Sequence, residues 1–337
     1  MAIADKKIVL ITSGQPSLNP RLVKEADALA EDGYDVIVIY QYWNKWGTEL
    51  DKELISKKKW KAIRVGGDPI KQKRQYLFTR LQFKLAQYFI KLLGVKNKFA
   101  ELAIGRCTYQ LTRKAIGINA DLYIAHNLAA LPAAVITAKR NNAKCGFDAE
   151  DFHRNEVSDN PNSIDVKLKS FVEDKYIHKL DYLTTASPLI SKAYKELYPK
   201  QNPITLLNVF PKNEFVLETK SPESLKLFWF SQTIGKGRGL EEVINAMGQL
   251  KESAIELHLL GDFDSSTRNY FDELVKINGL STNCIFYYLP IASTEIFKFG
   301  SKFDIGLATE VGTPKNRDIC LTNKIFSYIH SNLAIIA

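Results

Sequence analysis

Short apolar runs alternate with segments of helical periodicity from the start of the chain. The run Lys7–Thr12 (KIVLIT) is almost continuously apolar, which is typical of a parallel strand buried on both faces. Apolar residues then recur at helical spacing behind Asn19 and Pro20, which suit a helix N-cap and a first-turn proline, and Gly33 suits the end of that helix. A second strand is predicted over Tyr34–Tyr40 (YDVIVIY). The chain therefore opens on a predicted β-loop-α-β unit.

The same alternation continues to the last residues. Further strands are predicted over Asp121–Ala125, Lys144–Ala149, Tyr182–Ala186, Ile204–Val209, Leu225–Phe230, Ile255–Leu260, Cys284–Tyr288, Asp304–Leu307 and Leu333–Ala337. Helices are predicted over Glu101–Ile116, Leu128–Lys139, Ile164–His178, Pro188–Tyr198, Leu240–Leu250, Thr267–Ile277, Ser293–Gly300 and Asn323–His330. Strands that alternate with helices of this length predict parallel sheets with helices on both faces.

Periodicity is lost between Asn208 and Ser224, a segment that contains Pro211 and Pro222. A length of 337 residues suits two domains. We therefore predict an α/β protein of two Rossmann-like, doubly wound domains, residues 1–210 and 211–337, that face each other across a cleft.

Composition excludes several classes of protein. The cysteines Cys107, Cys145, Cys284 and Cys320 stand singly, without the Cys-x-x-Cys spacing of zinc or redox sites, so reduced thiols are expected. The N-terminus lacks the long apolar core of a signal peptide, and no run is long enough for a membrane span. These features predict a cytoplasmic protein.

The net charge of +9 is unevenly distributed. Between Lys57 and Lys98, thirteen Lys or Arg residues stand against one acid, Asp68, and aromatic and aliphatic residues lie among them. Such a segment suits either a helix whose apolar face lies in the core or a peripheral contact with anionic lipid at the inner face of a membrane. Nucleic acid is a weaker alternative, because no nucleic-acid-binding module accompanies the charge.

Two candidate sites lie in the second half, each between a predicted strand and a predicted helix. The glycine-rich segment Ser231–Glu242 (SQTIGKGRGLEE) combines Gly235, Gly237 and Gly239 with Lys236 and Arg238, so either an anion at the helix N-terminus or a solvated turn accounts for it. It matches neither the P-loop nor the dinucleotide-binding glycine pattern.

In the second candidate, Arg317–Tyr328 (RDICLTNKIFSY), Lys324 lies in the first turn of a helix, where a cation opposes the helix dipole. Either a diphosphate bound at the helix start or an exposed surface lysine accounts for this position.

Three candidates lie in the first half. His126 follows a predicted strand and precedes Asn127, a position that suits either a structural histidine or one that donates to an oxyanion or a sugar hydroxyl. In the segment Phe147–Glu156, four polar residues follow another predicted strand: Glu150, Asp151, His153 and Glu156. They suit either a solvated acidic turn or a site that recognises acceptor hydroxyls. The loop SGQPSLNPR offers Gly14, Gln15, Ser17 and Arg21, or is an ordinary βα turn.

At this point the sequence resembles the GT-B glycosyltransferases, specifically the retaining, family 4-like group. The resemblance extends over nearly the whole chain. Its motifs are NPRLVKEADALAEDGYDVIVI, AHNLAALPAA, FDAED, TTASPLISKAY, LLNVFP, FSQTIGKGRGLEEVINA, DIGLATE and LTNKIFSYIHSNLAIIA. Each motif is weak alone, and their order and spacing carry the specificity.

The resemblance implies that the second domain binds a nucleotide-diphosphate sugar and the first binds a carbohydrate or lipid-linked acceptor, in polysaccharide or glycolipid synthesis. Catalytic roles fall to His126, near the sugar, and to Arg238 and Lys324, on the donor diphosphate. Donor binding is expected from Gly14, Gln232, Gly237, Glu310, Asn323 and Ser327, and acceptor binding from Gln15, Asn127, Glu150 and Asp151. No cofactor or metal is expected, since cations and backbone amides would stabilise the leaving group and no Asp-x-Asp motif is present.

Some residues depart from the family pattern. The usual Gly-Arg-Leu is replaced by Ser231-Gln232-Thr233, and Ile319 and Ser327 occupy the two positions of the Glu-x7-Glu motif. Ribose binding therefore differs from the family, and the ending at a strand suggests a C-terminal truncation. Two alternatives stay open: a non-catalytic protein that binds a sugar nucleotide or a membrane surface, and an NAD-dependent oxidoreductase, which the broken glycine pattern disfavours.

Overall fold

The computed structural model describes residues 6–210, 224–250, 254–291 and 295–337. The chain divides into two compact units, residues 1–207 with 313–320 and residues 208–312 with 321–337. The start of the second domain was predicted at residue 211, and the segment 211–223 lies outside the described residues.

The first unit contains a seven-stranded parallel sheet in the order β3-β2-β1-β4-β5-β6-β7. Its strands are β1 (Lys7–Thr12), β2 (Asp35–Gln41), β3 (Lys61–Val65), β4 (Leu122–His126), β5 (Lys144–Ala149), β6 (Tyr182–Thr185) and β7 (Ile204–Thr205). Its helices are α1 (Pro20–Glu31), α2 (Lys45–Ser56), α3 (Lys73–Leu93), α4 (Ala100–Ala103), α5 (Thr108–Ile116), α6 (Leu131–Asn141), α7 (Ile164–Tyr176) and α8 (Pro188–Leu197).

Successive side chains of the central strands point to opposite faces of this sheet, and both faces are buried. Val9 and Ile11 of β1 belong to one buried cluster, whereas Ile8 and Leu10 belong to another, together with Leu22 of α1. A strand that is apolar at every position must be covered on both sides, so the continuous run KIVLIT accounts for the doubly wound arrangement.

The second unit contains a five-stranded parallel sheet in the order β10-β9-β8-β11-β12. Its strands are β8 (Leu225–Thr233), β9 (Ile255–Asp262), β10 (Ile285–Tyr288), β11 (Ile305–Leu307) and β12 (Ala334–Ile336). Its helices are α9 (Leu240–Gln249), α10 (Ser265–Ile277), α11 (Ile296–Gly300) and α13 (Asn323–His330). Trp229 and Phe228, adjacent on β8, enter two different buried clusters, so this sheet is also covered on both faces.

The predicted fold class, two parallel-sheet α/β domains, is confirmed. Three elements were missed: α2, β3 and the short helix α12 (Lys315–Ile319), which belongs to the first unit. There the backbone N–H of Phe152 donates to Asn316 Oδ1 at 2.6 Å, and Ser187 Oγ donates to the carbonyl of Ile319 at 2.6 Å.

The basic segment contains β3 and the whole of α3, and the first of its two interpretations, a helix whose apolar face lies in the core, accounts for only part of this helix. Only Thr79, Ala86 and Ile90 of α3 are buried. Seven large apolar side chains of this helix are exposed: Leu77, Phe78, Leu81, Leu85, Tyr88, Leu92 and Leu93. Among the described residues, no helix is both long and apolar enough to cross a membrane.

Candidate functional site

Each sheet has one place where the strand order reverses, between β1 and β4 in the first unit and between β8 and β11 in the second. Connections leave such neighbouring strands toward opposite faces, which opens a crevice at their carboxyl ends. Ligands of parallel α/β sheets bind at these reversal points. The residues that follow these four strands are therefore the candidates for ligand contact.

In the second unit, glycine allows the loops after β8 and β11 to meet. Gly239 has φ 78°, and a Cβ atom built on it would lie 2.2 Å from the carbonyl oxygen of Thr309. Thr309 Oγ1 in turn donates to the carbonyl of Arg238 at 3.4 Å. The start of α9 is thus held against the segment that follows β11, a contact that any larger residue at position 239 would prevent.

Two cations from distant parts of the sequence reach the carboxyl end of β8. Arg238 Nη1 donates to Ser231 Oγ at 2.6 Å. The ammonium of Lys324 lies 5.3 Å from the ring centroid of Trp229, two residues earlier on β8, and it contacts the Glu310 carboxylate. The fold thus brings the guanidinium, the ammonium and one carboxylate to the reversal point of the second sheet.

The start of α13 lies beside these groups. Thr322 caps the helix, with its Oγ1 accepting from the Lys324 N–H at 3.5 Å, and Asn323 is exposed with its Oδ1 accepting from Asn208 at 3.0 Å. Ser327 is buried, and its hydroxyl donates to the Asn323 carbonyl at 3.1 Å. Its hydroxyl proton is thus committed to its own helix, whereas Asn323 is accessible.

The remaining glycine-loop residues are less directly involved. Gln232 is exposed, and the Gly237 N–H donates to Glu241 Oε1 at 2.9 Å. Lys236 lies 3.8 Å from the ring centroid of Tyr270, so its ammonium rests on an aromatic face. Of the two basic residues in this loop, Arg238 is the one whose side chain turns back to β8.

In the first unit, the loops after β1 and β4 are joined by a hydrogen bond. Thr12 Oγ1 donates to Asn127 Oδ1 at 2.8 Å and accepts from the Gly14 N–H at 3.1 Å. Asn127 adopts φ 70° to make this approach. A Cβ on Gly14 would lie 3.6 Å from its nearest neighbour, Thr12 Oγ1, so this chain itself leaves room for a larger residue.

His126 lies under these loops in a ring of carboxylates. It is fully buried, with Nε2 2.6 Å from Glu25 Oε2 and Nδ1 3.3 Å from Glu150 Oε1. Burial alone would lower the pKa of His126, but hydrogen bonds with Glu150 and Glu25 and the charges of Glu25 and Asp148 raise it to about 10. The imidazole is therefore a cation at neutral pH, and both of its nitrogens have partners.

A buried ion pair extends this network. Both Nε and Nη2 of Arg21 bond to the Asp148 carboxylate, Nη2 at 2.8 Å, and the Thr184 hydroxyl donates to the same group at 2.5 Å. Burial works to raise the pKa of Asp148, but the Arg21 hydrogen bond and the His126 charge hold it below its usual value. This arrangement resists reorganisation, because every charge in it has a partner.

Ligand atoms of His126, Asp148 and Glu150 lie within 4.8 Å of one another, a set that could hold a metal ion. Arg21 already neutralises Asp148, and Asn19 donates to Glu150 at 2.7 Å. The residues thus satisfy one another with protein partners, and the expected metal independence stays a prediction.

Two of the predicted acceptor residues serve internal contacts. The Gln15 amide is buried and makes four hydrogen bonds: it donates to Asp51 at 2.7 Å and Thr48 at 3.1 Å, and it accepts from the N–H groups of Trp43 at 2.9 Å and Asn44 at 2.8 Å. These bonds use the full capacity of the amide.

Asp151 is the second predicted acceptor residue that is engaged in an internal contact. Its Oδ1 accepts from Asn316 at 2.9 Å, and burial raises its pKa. A role for Gln15 or Asp151 in acceptor binding stays a prediction and would require these bonds to open.

A cavity of about 450 Å³ lies beside the first reversal point, and the sequence did not predict it. Its wall combines the loops after β1 and β4 with one face of α3. The residues that contribute include Ser13, Ala129, Tyr76, Arg80, Phe83, Lys84 and Gln87. The helical spacing of the last five was a signal that a single face of α3 borders a groove.

No family model matches the sequence, and no curated protein matches it. Solved structures do match. A glycosyltransferase from Rickettsia africae ESF-5 superposes with a TM-score of 0.66 at 15% identity, over 99% of this chain and 79% of that one.

HepE of Anabaena, crystallised with UDP and glucose, gives a TM-score of 0.62 at 14% identity, over 98% of this chain and 80% of that one. Sucrose-phosphate synthase from Thermosynechococcus elongatus gives a TM-score of 0.62 at 12% identity, over 98% of this chain and 81% of that one. The chain has the GT-B fold. At sequence identities this low, the superpositions show the fold alone. The chemistry of this GT-B chain must therefore be inferred from its own residues.

Proposed function

We propose that this protein transfers a glycosyl group from a nucleotide-diphosphate sugar to a hydroxyl of a carbohydrate or lipid-linked acceptor. The observation that carries the proposal is the convergence of Arg238 and Lys324 at the reversal point of the second sheet. A diphosphate is the ligand class that suits two cations beside two helix starts. Similar folds crystallised with UDP and UDP-glucose are consistent with this ligand.

The difficult step is the cleavage of the anomeric C–O bond, because negative charge then grows on the departing diphosphate. Arg238 and Lys324 would stabilise that charge, and they are already positioned by Ser231 and Trp229 before the reaction begins. Glu310, against the Lys324 ammonium, both orients that ammonium and offers an acceptor for sugar hydroxyls. Asn323, exposed at the start of α13, would add an amide to the same group.

The first unit would hold the acceptor in the cavity beside its reversal point, where Arg80 and Lys84 could meet an acceptor phosphate. His126, as a buried imidazolium between Glu25 and Glu150, cannot accept a proton from the acceptor. The leaving diphosphate would therefore take that proton, as in a retaining reaction. His126 would contribute by fixing Glu150 and the loop of Asn127.

The test is transfer and hydrolysis measured on a panel of UDP, GDP and ADP sugars. Arg238→Ala should lower turnover about 10²- to 10³-fold, the usual effect of removing one group that stabilises a developing anion. Arg268→Ala is the matched control, because that arginine is exposed on α10, where it contacts Asp272 at 3.6 Å and the Tyr287 ring at 5.2 Å from the centroid. Equal turnover in the two variants would contradict the role of Arg238.

Two other results would select the alternatives. Binding of a sugar nucleotide with no transfer or hydrolysis on any donor would indicate a non-catalytic binding protein. A thermal shift with NAD and none with UDP, GDP or ADP would indicate an oxidoreductase.

A further inference from the structure

Helix α3 has two different apolar sides. One side, with Ala86 and Ile90, packs into the core of the first unit. On another side, Leu77, Leu81, Leu85, Tyr88 and Leu92 follow one another at intervals of three or four residues and are all exposed. That spacing places them in a single stripe along the helix. The exposed fractions, 57% for Leu81 and 63% for Leu92, are high for leucine side chains.

A basic edge runs beside this stripe. Lys73, Arg80, Lys84 and Lys91 recur at intervals of seven, four and seven residues, which sets them on one line of the helix next to the leucines. All four are exposed, and α3 contains no acidic residue. An apolar stripe bordered by cations, without interspersed carboxylates, is the composition of a helix that lies in the interface of an anionic membrane.

Aromatic residues extend the same surface. Trp43, 65% exposed, borders the cavity that Arg80 and Lys84 also line. Trp46, at the start of α2, is 53% exposed. Indole rings favour the boundary between lipid head groups and hydrocarbon, because one part of the ring is apolar and the N–H is polar.

We propose that the exposed stripe of α3 and its basic edge bind the surface of a bilayer that contains anionic phospholipid. The leucines would enter the boundary between head groups and acyl chains, and the cations would contact lipid phosphates. Charge complementarity selects this occupant over a second copy of the chain, whose α3 would present the same cations and be repelled. The helix would lie on the bilayer and not cross it, in keeping with its five Lys or Arg residues.

The experiment is co-sedimentation of the full chain with vesicles of phosphatidylcholine alone or of phosphatidylcholine mixed with phosphatidylglycerol. We expect binding to the mixed vesicles, weakening as salt is added. Replacing Lys73 and Lys91 with glutamine, neither of which lines the acceptor cavity, should lower affinity for the mixed vesicles by roughly five-fold for each cation. Leu81→Gln with Leu85→Gln should lower it at least about ten-fold.

Matched variants separate this effect from general changes of the surface. Ile277→Gln removes an apolar side chain that is 78% exposed in the second unit, and Lys167→Gln with Lys192→Gln removes exposed cations from α7 and α8. These variants should bind vesicles as the unaltered protein does. All substituted side chains are exposed, so thermal unfolding and UDP binding should be preserved in every variant.

Three outcomes would overturn the proposal. One is equal binding to the two kinds of vesicle, and another is unchanged binding of the leucine variant. The third is a dimer in light scattering that the leucine substitutions dissociate, which would assign the stripe to contact between two copies.

Discussion

The two reversal points of this protein are built alike and charged differently. In each, a loop after the first strand of the sheet meets a loop after the fourth, through Thr12 and Asn127 in one unit and through Gly239 and Thr309 in the other. Below the first lies a set of paired charges made of three carboxylates, one arginine and one histidine, of which His126 and Asp148 are buried and the others are partly buried. At the second, two cations are partly exposed, and Lys324 contacts the Glu310 carboxylate while Arg238 bonds to the Ser231 hydroxyl.

This difference in burial and pairing suits the two sites to different roles, the first to positioning a loop and the second to binding an anion. Charges that are buried and mutually paired hold a loop in a fixed geometry, at the cost of flexibility. Cations that stay accessible to solvent can exchange their present contacts for those of an anionic ligand. Substitutions of the charged residues should therefore affect mainly stability at the first reversal point and mainly ligand binding at the second.

The largest effect on stability is expected from Arg21→Met. Asp148 would lose both bonds from the guanidinium while it remains buried, and removal of one partner from a buried ion pair costs about 3–5 kcal/mol. Urea unfolding would measure the loss. As a control, Arg268→Met removes an exposed pair and should cost less than about 1 kcal/mol. Similar losses of unfolding free energy in the two variants would mean that the Arg21–Asp148 pair stabilises the protein no more than an exposed pair does.

A smaller contribution, on the order of a few kcal/mol, should come from the protonation of His126. Its folded-state pKa of about 10 lies above the ordinary value of 6.5, so folding takes up a proton between these values. The stabilisation is thus complete below the ordinary value and is lost as the pH rises through about 10.

Urea unfolding of the unaltered protein and of His126→Gln across that range gives the check. Their difference in unfolding free energy should shrink as the pH increases, because the variant cannot take up this proton. A difference that stays constant or grows with pH would show that His126 is neutral in the folded protein.

Gly239 and Gly14, one in a loop at each reversal point, should respond differently to alanine. Gly239→Ala places a Cβ against the Thr309 carbonyl at a positive φ, and we expect a loss of about 1–3 kcal/mol in stability. Gly14→Ala meets nothing closer than 3.6 Å, so stability should be nearly unchanged. Transfer should still fall in Gly14→Ala if the donor approaches this loop. Stability and transfer that are both unaltered would remove Gly14 from the donor site.

Much of the fold followed from periodicity, because strands buried on both faces and amphipathic helices leave clear patterns. The bounds of β5 and α13 agree with their predictions to the residue. Helix α2 was missed because its sequence, KWGTELDKELIS, contains Gly47 and buries only two residues. Strand β3 was missed because KAIRV is short, contains two cations and has no buried residue. Helix α12 has five residues and depends on partners far away in the sequence.

The candidate site divides in the same way. Arg238 and Lys324 could be proposed from the sequence, because glycines and helix starts are local signals. The contacts of His126 with carboxylates could not, since Glu25 lies 101 positions away from it along the chain and Glu150 was proposed only as an acceptor-binding residue. The single usable hint was the interval of four between Arg21 and Glu25, which sets both on one face of α1.

Calorimetric titration with UDP and with uridine measures whether the cations of the second reversal point hold a diphosphate. We expect UDP to bind more tightly than uridine, and Arg238→Ala and Lys324→Met each to weaken UDP binding by about ten- to a hundred-fold while uridine binding is unchanged. Glu310→Gln, which keeps both cations, should preserve the preference for UDP. If the unaltered protein binds UDP and uridine equally, or the two cation variants bind UDP as it does, the claim is contradicted.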